Sequence, residues 1–294
     1  LYGSDAMSGV INIRTRSGGE EPTLRTEGAL GTSGRERLSA QHGWSAGPLA
    51  WYFTAQHEAV AIADLYGVMS EQFAGDASDD LQERDALRLR LDGDAGDHAL
   101  RFVGDWLVER NPLSTSDDLS SSAGWTWDTP REWKVESDLG VYRYTRRNDL
   151  EGFAEDVEYL DLNSDTRASR HLGSFLRGDH FLATGSRVRR ERLQSAGMVL
   201  SSGDLEAPDV DEAVLHASPY AQVESLFGRS WSLVLGVAVD HHERYGWNTS
   251  PRGTLTWRPR EDLRASVTVG RGYRAPDLLQ LHDVDINNVV VVGD

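Results

Sequence analysis

The sequence predicts an all-β protein whose strands form a transmembrane antiparallel β-barrel. Three observations predict it: apolar and polar residues alternate along much of the chain, several alternating runs are long, and short connectors alternate with longer ones. An alternation of period two describes a strand with one apolar and one polar face. Several runs have about ten residues, the length of a tilted strand that crosses a bilayer, and exceed the five or six residues usual for strands in soluble proteins.

The clearest alternation lies in residues 231–240. Leu233, Leu235 and Val237 share one face there, whereas Ser232 and Gly236 fall on the other. Residues 87–92, 100–109 and 263–270 repeat the pattern. We therefore predict thirteen strands, at residues 23–31, 37–46, 49–61, 85–92, 98–110, 132–146, 152–162, 170–177, 180–193, 214–227, 231–241, 252–258 and 263–271.

The connectors between these strands fall into two alternating classes. The tight ones are residues 46–48, 92–97, 147–151, 177–179, 227–230 and 259–262. Those between them are mostly longer, at 62–84, 111–131, 194–213 and 242–251, with 32–36 and 163–169 as short exceptions. Short turns on one side and long loops on the other are typical of an outer-membrane barrel.

Composition limits the function further. The 294 residues include 30 basic and 47 acidic side chains, a net charge of −17 that argues against a nucleic-acid partner. The absence of cysteine excludes disulfide scaffolds, zinc ribbons, iron–sulfur clusters and cysteine nucleophiles. No stretch approaches the roughly 18 apolar residues of a membrane helix. A membrane β-barrel stays possible, because every second residue of its strands faces a polar interior.

Two motifs stand near the ends of the chain. Residues 1–16 carry the pattern YGSxAxxGVINI, at Tyr2, Gly3, Ser4, Ala6, Gly9, Val10 and Asn12 among others. Residues 269–278 carry GxG[YF]RAP, at Gly270, Gly272, Tyr273, Arg274, Ala275 and Pro276. In this order the two motifs resemble the TonB-dependent outer-membrane receptor family, in which the first closes the plug domain and the second lies inside the barrel.

The resemblance implies a domain organisation. An intact member has a 22-stranded barrel with a plugged lumen. Residues 1–16 would then be the C-terminal end of the plug, 17–22 the linker from plug to barrel, and 23–294 the N-terminal part of an incomplete barrel. We thus expect a piece of a longer protein of the Gram-negative outer membrane, with the tight turns in the periplasm and the long loops outside.

The resemblance also implies transport rather than catalysis. The family imports scarce, large ligands such as ferric siderophores and cobalamin by energised displacement of the plug. The expected partners are the imported ligand, outer-membrane lipid, and the TonB energy-transducing complex, which the family engages through an N-terminal TonB box absent from these residues. We expect no catalytic residue, cofactor, metal site or nucleic-acid partner. Another outer-membrane barrel, such as a porin or an adhesin, is the main alternative, and a soluble all-β binding module is the third.

The candidate ligand contacts are aromatic residues of the predicted outer loops, because flat aromatic groups suit planar ligands. They are Tyr66 and Phe73, with Met69, in the second loop, Trp125, Trp127 and Trp133 in or beside the third, and His241, Tyr245 and Trp247, with His242, in the sixth. Arginines such as Arg131 and Arg244 would suit anionic ligands. For any single aromatic residue, the alternative is a place in the girdle at the membrane rim.

Three other patterns lead to no site. The spacing of Gly270, Gly272 and Ala275 matches a dinucleotide fingerprint, but Pro276 follows at once, where a helix would have to open. The neighbours His241 and His242 point to opposite faces of a strand and therefore do not chelate one metal ion. The acidic residues Asp76, Asp79 and Asp80 suit a solvated loop better than a calcium site.

Overall fold

The computed structural model describes residues 16–32, 34–61, 81–111, 114–150, 153–196 and 209–282. These residues form one sheet of thirteen strands and one short helix. The elements are β1 (Thr23–Leu30), β2 (Glu36–Ala46), β3 (Leu49–Ala61), β4 (Leu81–Ala95), β5 (His98–Asn111), β6 (Ser114–Asp128), β7 (Trp133–Leu150), β8 (Phe153–Phe175), β9 (Gly178–Ala196), β10 (Val210–Phe227), β11 (Trp231–His242), β12 (Gly246–Arg260), β13 (Leu263–Gly270) and α1 (Leu278–Leu281).

The strand order in the sheet is the order in the chain, and all neighbouring strands are antiparallel. The predicted all-β antiparallel architecture is confirmed. In such a meander, successive connectors lie at opposite ends of the sheet. We call one end the turn end; its connectors are residues 47–48, 96–97, 129–132, 176–177, 228–230 and 261–262. The opposite end is called the loop end.

Two errors in the predicted strands offset each other in the count of thirteen. Residues 111–131, predicted as an outer loop, contain β6, which pairs with β5 and β7 along its whole length. Its serine- and aspartate-rich sequence is typical of loops, but hydrogen bonds to both neighbours hold it in the sheet. The predicted connector 163–169 is instead the middle of β8. Its polar residues find partners on a neighbouring strand; Asp165, for example, forms an ion pair with Arg187 of β9 at 3.0 Å.

These corrections move one predicted turn. The tight connector predicted at 147–151 falls mostly within β7, which runs to Leu150, and the chain then passes into β8 at the loop end. Residues 129–132 replace it at the turn end, where the Trp133 amide donates to the Thr129 hydroxyl at 3.0 Å. Because the prediction omitted β6, its alternation of tight and long connectors assigned residues 147–151 to the turn end, although they lie at the loop end.

The two ends still differ in connector length. Every turn-end connector has two to four residues. At the loop end, nineteen residues separate β3 from β4 and thirteen separate β9 from β10, whereas the other connectors there are short. The predicted outer loop 242–251 is only a three-residue turn, 243–245, between β11 and β12. Five of the six predicted tight connectors lie at the turn end, and 147–151 does not. Of the four longer loops predicted for the other end, those at 62–84 and 194–213 correspond to these two long intervals, and those at 111–131 and 242–251 are wrong.

The pairing register gives the sheet two chemically distinct faces. Leu235 pairs with Val223 and Gly253, and these residues lie on an apolar face that we call the outer face. The opposite, inner face carries most of the charged residues, and α1 packs against it. The buried core joins Leu278 and Leu279 of α1 to inner-face residues near the loop end, namely Tyr144, Val157, Tyr159, Leu193 and Val214.

Candidate functional site

The outer face carries a belt of tryptophan at the turn end. Seven of the nine tryptophans lie there: Trp44, Trp51, Trp125, Trp127, Trp133, Trp231 and Trp257. Neighbouring strands bring them into contact, and the rings of Trp231 and Trp257 stack with centroids 5.8 Å apart. Amphipathic aromatic rings of this kind concentrate at the interface between membrane and water. The belt therefore identifies the outer face as the one in contact with lipid.

The inner face carries a buried polar network on β8 and β9. The Tyr159 hydroxyl donates to Glu191, whose side chain is only 5% exposed. Arg189 lies between them and donates to the Tyr159 hydroxyl at 3.1 Å, while its guanidinium lies 3.1 Å from the Glu191 carboxylate. The other edge of the guanidinium donates to Asp161 at 2.8 Å. One cation therefore neutralises two buried carboxylates, which burial would otherwise make costly.

Residues 271–282 fold back from β13 across the inner face. The Arg271 amide donates to the Pro251 carbonyl at 2.9 Å, and α1 then begins with a capping box in which Asp277 and Gln280 bond each other's backbone amides. Tyr273 is half-buried in this segment, and the loss of solvent raises the pKa of its hydroxyl. The GxG[YF]RAP motif thus ends β13 at Gly270 and leads into the inner core.

A second polar network lies on the inner face of β10, β11 and β12. Asp240 is 3% exposed and accepts hydrogen bonds from the hydroxyls of Ser218 and Ser250, the latter at 3.2 Å. The His216 ring lies 3.7 Å from the same carboxylate. His242, opposite His216 in the register, is also buried. Asp240 of β11 thus gathers polar partners from β10 and β12.

The end of α1 is tied to the same wall by Glu212 of β10. Its carboxylate lies 3.3 Å from the ring of His282 and 3.0 Å from the guanidinium of Arg244, in the turn between β11 and β12. Within the described ranges, no helix is long and apolar enough to cross a membrane. No cluster of three or more His, Cys, Asp or Glu side chains among those same residues is placed to hold a metal ion.

The inner face also lines a polar cavity of about 720 Å³ towards the turn end. Ion pairs line it, including Arg90 with Asp92 at 2.7 Å and Arg187 with Asp165 at 3.0 Å. Tyr220 closes one side of the cavity. Apart from the apolar cluster that α1 covers, the inner face is therefore largely polar, and it suits water, a polar ligand or a polar protein segment rather than lipid.

Most of the candidate ligand residues that the structure describes lie on the outer face rather than on the inner face. Trp125, Trp127 and Trp133 belong to the belt at the turn end, not to an outer loop as predicted. His241 and Trp247 are at the loop end but share the outer face with Val237, and their rings lie 4.4 Å apart. Their positions favour the girdle alternative, while ligand contact stays a prediction.

The remaining candidates lie elsewhere. Tyr245 occupies the turn between β11 and β12, where its ring lies 4.8 Å from the inner-face residue His242. Among the candidates that the structure describes, it is the one beside an inner-face residue at the loop end. Tyr66, Phe73 and Asp76, together with the plug motif from Tyr2 to Asn12, fall outside the described residues.

The comparison with known families identifies this fold. A family model described as TonB-dependent receptor-like, beta-barrel, matches residues 21–291, nearly the whole chain. The chain belongs to the TonB-dependent receptor family. The thirteen-stranded antiparallel sheet corresponds to part of that family's outer-membrane barrel, and the predicted family, fold class and outer-membrane location are confirmed.

Individual TonB-dependent receptors align over almost all of this chain. An iron-regulated outer membrane virulence protein of Vibrio cholerae is 23% identical over 96% of the chain and 43% of its own length. A variant of the ferric enterobactin receptor of Pseudomonas aeruginosa, solved with enterobactin, superposes with a TM-score of 0.73 at 17% identity, over 95% of this chain and 48% of that one. The siderophore receptor of Acinetobacter baumannii superposes at 0.72 with 14% identity, over 94% and 46%. The chain thus spans less than half the length of these relatives.

Sequence reasoning missed the inner-face residues of the receptor wall. Tyr159 and Asp161 alternate on β8, as Arg189 and Glu191 do on β9. Polar residues at every second position of a membrane strand indicate a lumen-facing side, so a signal was present. The prediction looked for ligand contacts in loops instead, and without the register nothing indicated that these two pairs meet.

Proposed function

We propose that this chain forms part of the barrel wall of a receptor that imports a ferric siderophore across the outer membrane. Family membership is the observation that carries the proposal. The relatives support its iron specificity, because one is named as iron-regulated, one as a siderophore receptor and one as a ferric enterobactin receptor. Cobalamin, the other ligand expected from the resemblance, has no such support.

The chemistry of the two faces fits this role. The outer face is apolar and ends in the tryptophan belt, so it would rest in lipid. The inner face would line the transport path. At the turn end, its cavity with Arg90, Asp165 and Arg187 has the charges to hold a polar plug domain, of which residues 1–16 would be the C-terminal end. Displacement of that plug by the TonB complex would open the path.

Ligand capture would occur at the loop end. Tyr245 stands there beside His242, and Arg244 beside Glu212. An aromatic ring and a guanidinium suit a planar, anionic iron chelate.

A growth assay tests the proposal. A strain that lacks this gene and makes no siderophore of its own should fail to grow under iron limitation when ferric enterobactin or another single ferric siderophore is supplied. Growth should return when the gene is restored, and inactivation of TonB should abolish it again. If the restored gene supported growth even without TonB, a porin would be favoured. Restoration by cobalamin in a cobalamin-dependent strain, but by none of the siderophores, would contradict the proposed ligand.

A further inference from the structure

One arginine on the outer face stands apart from its neighbours. Arg190 of β9 is exposed and lies opposite Leu162 of β8 and Leu215 of β10. Those two leucines are 41% and 42% exposed, so they belong to the lipid-facing surface. Among the residues that the structure describes, no hydrogen bond or ion pair joins Arg190 to another side chain. Its diagonal neighbours on the two strands are Leu160, Ser164, Ala213 and Ala217, none of them acidic.

The position of Arg190 along the strand gives its depth in the membrane. From one side of the belt, Trp133 pairs with Arg170 of β8, which pairs with Leu182 of β9. From the other side, Trp231 pairs with Phe227 of β10, whose neighbour Leu226 pairs with Asp179 of β9. Along β9, Arg190 is the ninth residue counted from Leu182 and the twelfth counted from Asp179. A tilted strand crosses the hydrocarbon core in about 9–11 residues. Arg190 therefore lies where the core ends and the lipid headgroups of the opposite leaflet begin.

Two further arginines stand next to it on the same face. Arg143 of β7 and Arg192 of β9 both lie level with Leu160, one step further towards the loop end than Arg190. Their side chains are about half exposed, and each is already paired, Arg143 with Glu158 at 3.0 Å and Arg192 with Asp211 at 3.1 Å. Arg190 is thus a cation without an acidic partner, with two more guanidiniums nearby at headgroup height.

A guanidinium at this height needs an anion, because an unpaired charge facing lipid is destabilising. Its long apolar stem lies along exposed leucines while its head reaches the polar layer. Guanidinium groups bind phosphate through paired hydrogen bonds. We propose that Arg190, assisted by Arg143 and Arg192, binds the phosphate group of a membrane lipid in the leaflet on the loop side.

Lipid retention by the purified receptor tests this site. The receptor is mixed in detergent micelles with dioleoyl phosphatidic acid or with dioleoylglycerol, which has the same chains without the phosphate, and retained lipid is counted by native mass spectrometry. Wild-type protein should retain the phosphatidic acid selectively. Arg190→Gln should lower that retention roughly tenfold, the effect of losing one charge-assisted contact. Arg190→Lys, which keeps the charge, should retain nearly as much phosphatidic acid as the wild type.

A matched control is Arg101→Gln on the inner face, where Arg101 is 51% exposed and pairs with Asp138 at 3.5 Å. Its lipid retention should equal that of the wild type. Arg192→Gln should lower retention less than Arg190→Gln and serves as a second variant should Arg190→Gln assemble poorly. Unchanged retention in Arg190→Gln, an equal loss in Arg101→Gln, or displacement of the lipid by millimolar inorganic phosphate would each overturn the proposal.

Discussion

Tyr159 on β8 donates a hydrogen bond to Glu191 on β9, and both side chains are buried on the inner face of the sheet. Arg189 bonds to Tyr159 and pairs with Glu191, both at 3.1 Å. The three groups are therefore interdependent, because each supplies the partner that another needs away from water. The network lies in the part of the wall that α1 covers.

Removing the carboxylate should destabilise the receptor strongly. Glu191→Ala leaves Arg189 without one of its carboxylates and Tyr159 without its acceptor, and it should lower the free energy of unfolding by about 3–5 kcal/mol. Glu191→Gln keeps an acceptor and should cost about 1–3 kcal/mol. Urea unfolding of the receptor in micelles measures both. Asp262→Ala, which breaks the exposed Arg260–Asp262 pair, is the control and should cost less than about 1 kcal/mol.

The attachment of α1 should depend on one leucine. Leu278 is fully buried in the core cluster that includes Leu193 of β9 and Val214 of β10. Leu278→Ala removes that packing at a cost of about 2–5 kcal/mol and should release α1 before the sheet unfolds. Hydrogen exchange of the amides of Leu281 and His282 reports the release. Gln280→Ser is the control, because it removes only the cap contact of an exposed side chain. Equal exchange in Gln280→Ser and Leu278→Ala would contradict this role of Leu278.

Adjacent residues of β11 should differ in their access to lipid and to water. Leu235 is on the outer face and Val234 on the inner face. Because the chain has no cysteine, Leu235→Cys and Val234→Cys each introduce one site for maleimide labelling. In membranes, a hydrophobic maleimide should label position 235, and a charged, water-soluble one should label position 234 faster. The reverse pattern would mean a register shifted by one residue.

Close packing under Tyr220 should make Gly185 intolerant of a side chain. A Cβ atom at this position would lie 2.3 Å from the Thr166 carbonyl oxygen and 2.7 Å from the Tyr220 hydroxyl. Gly185→Ala should therefore destabilise the sheet by about 1–3 kcal/mol, because a backbone atom has to move. Gly253→Ala, whose Cβ would meet only the flexible Leu235 side chain at 3.4 Å, is the matched control and should be close to neutral. Equal unfolding midpoints would refute the argument.

Where the sequence alternates strongly, its prediction agrees closely with the structure. Residues 231–241 were predicted as a strand and β11 spans Trp231–His242, with the apolar set on one face. The prediction failed at β6, where serine and aspartate replace the apolar residues. Backbone hydrogen bonds to β5 and β7 stabilise β6 regardless of its composition, and single-sequence patterns do not report such long-range pairing.

The candidate site was less predictable than the fold. Tryptophans were expected among the ligand contacts of the outer loops, yet Trp125 and Trp127 lie at the turn end, because the omission of β6 displaced them to the wrong side. The residues that do converge on the inner face, such as Asp161 and Arg189, are 28 positions apart in the chain. Only the pairing of β8 with β9 brings them together.

By itself, the sequence determined the all-β class, the antiparallel meander, the two chemically different faces and, through its end motifs, the family. These properties follow from local patterns, because side-chain alternation and turn residues act over a few positions. The tertiary structure decided which end of the sheet each aromatic residue occupies, which charges share a buried network, and that Arg190 stands without an acid at the edge of the lipid-facing surface. Those relationships depend on register between strands, which is set by hydrogen bonding across the whole sheet.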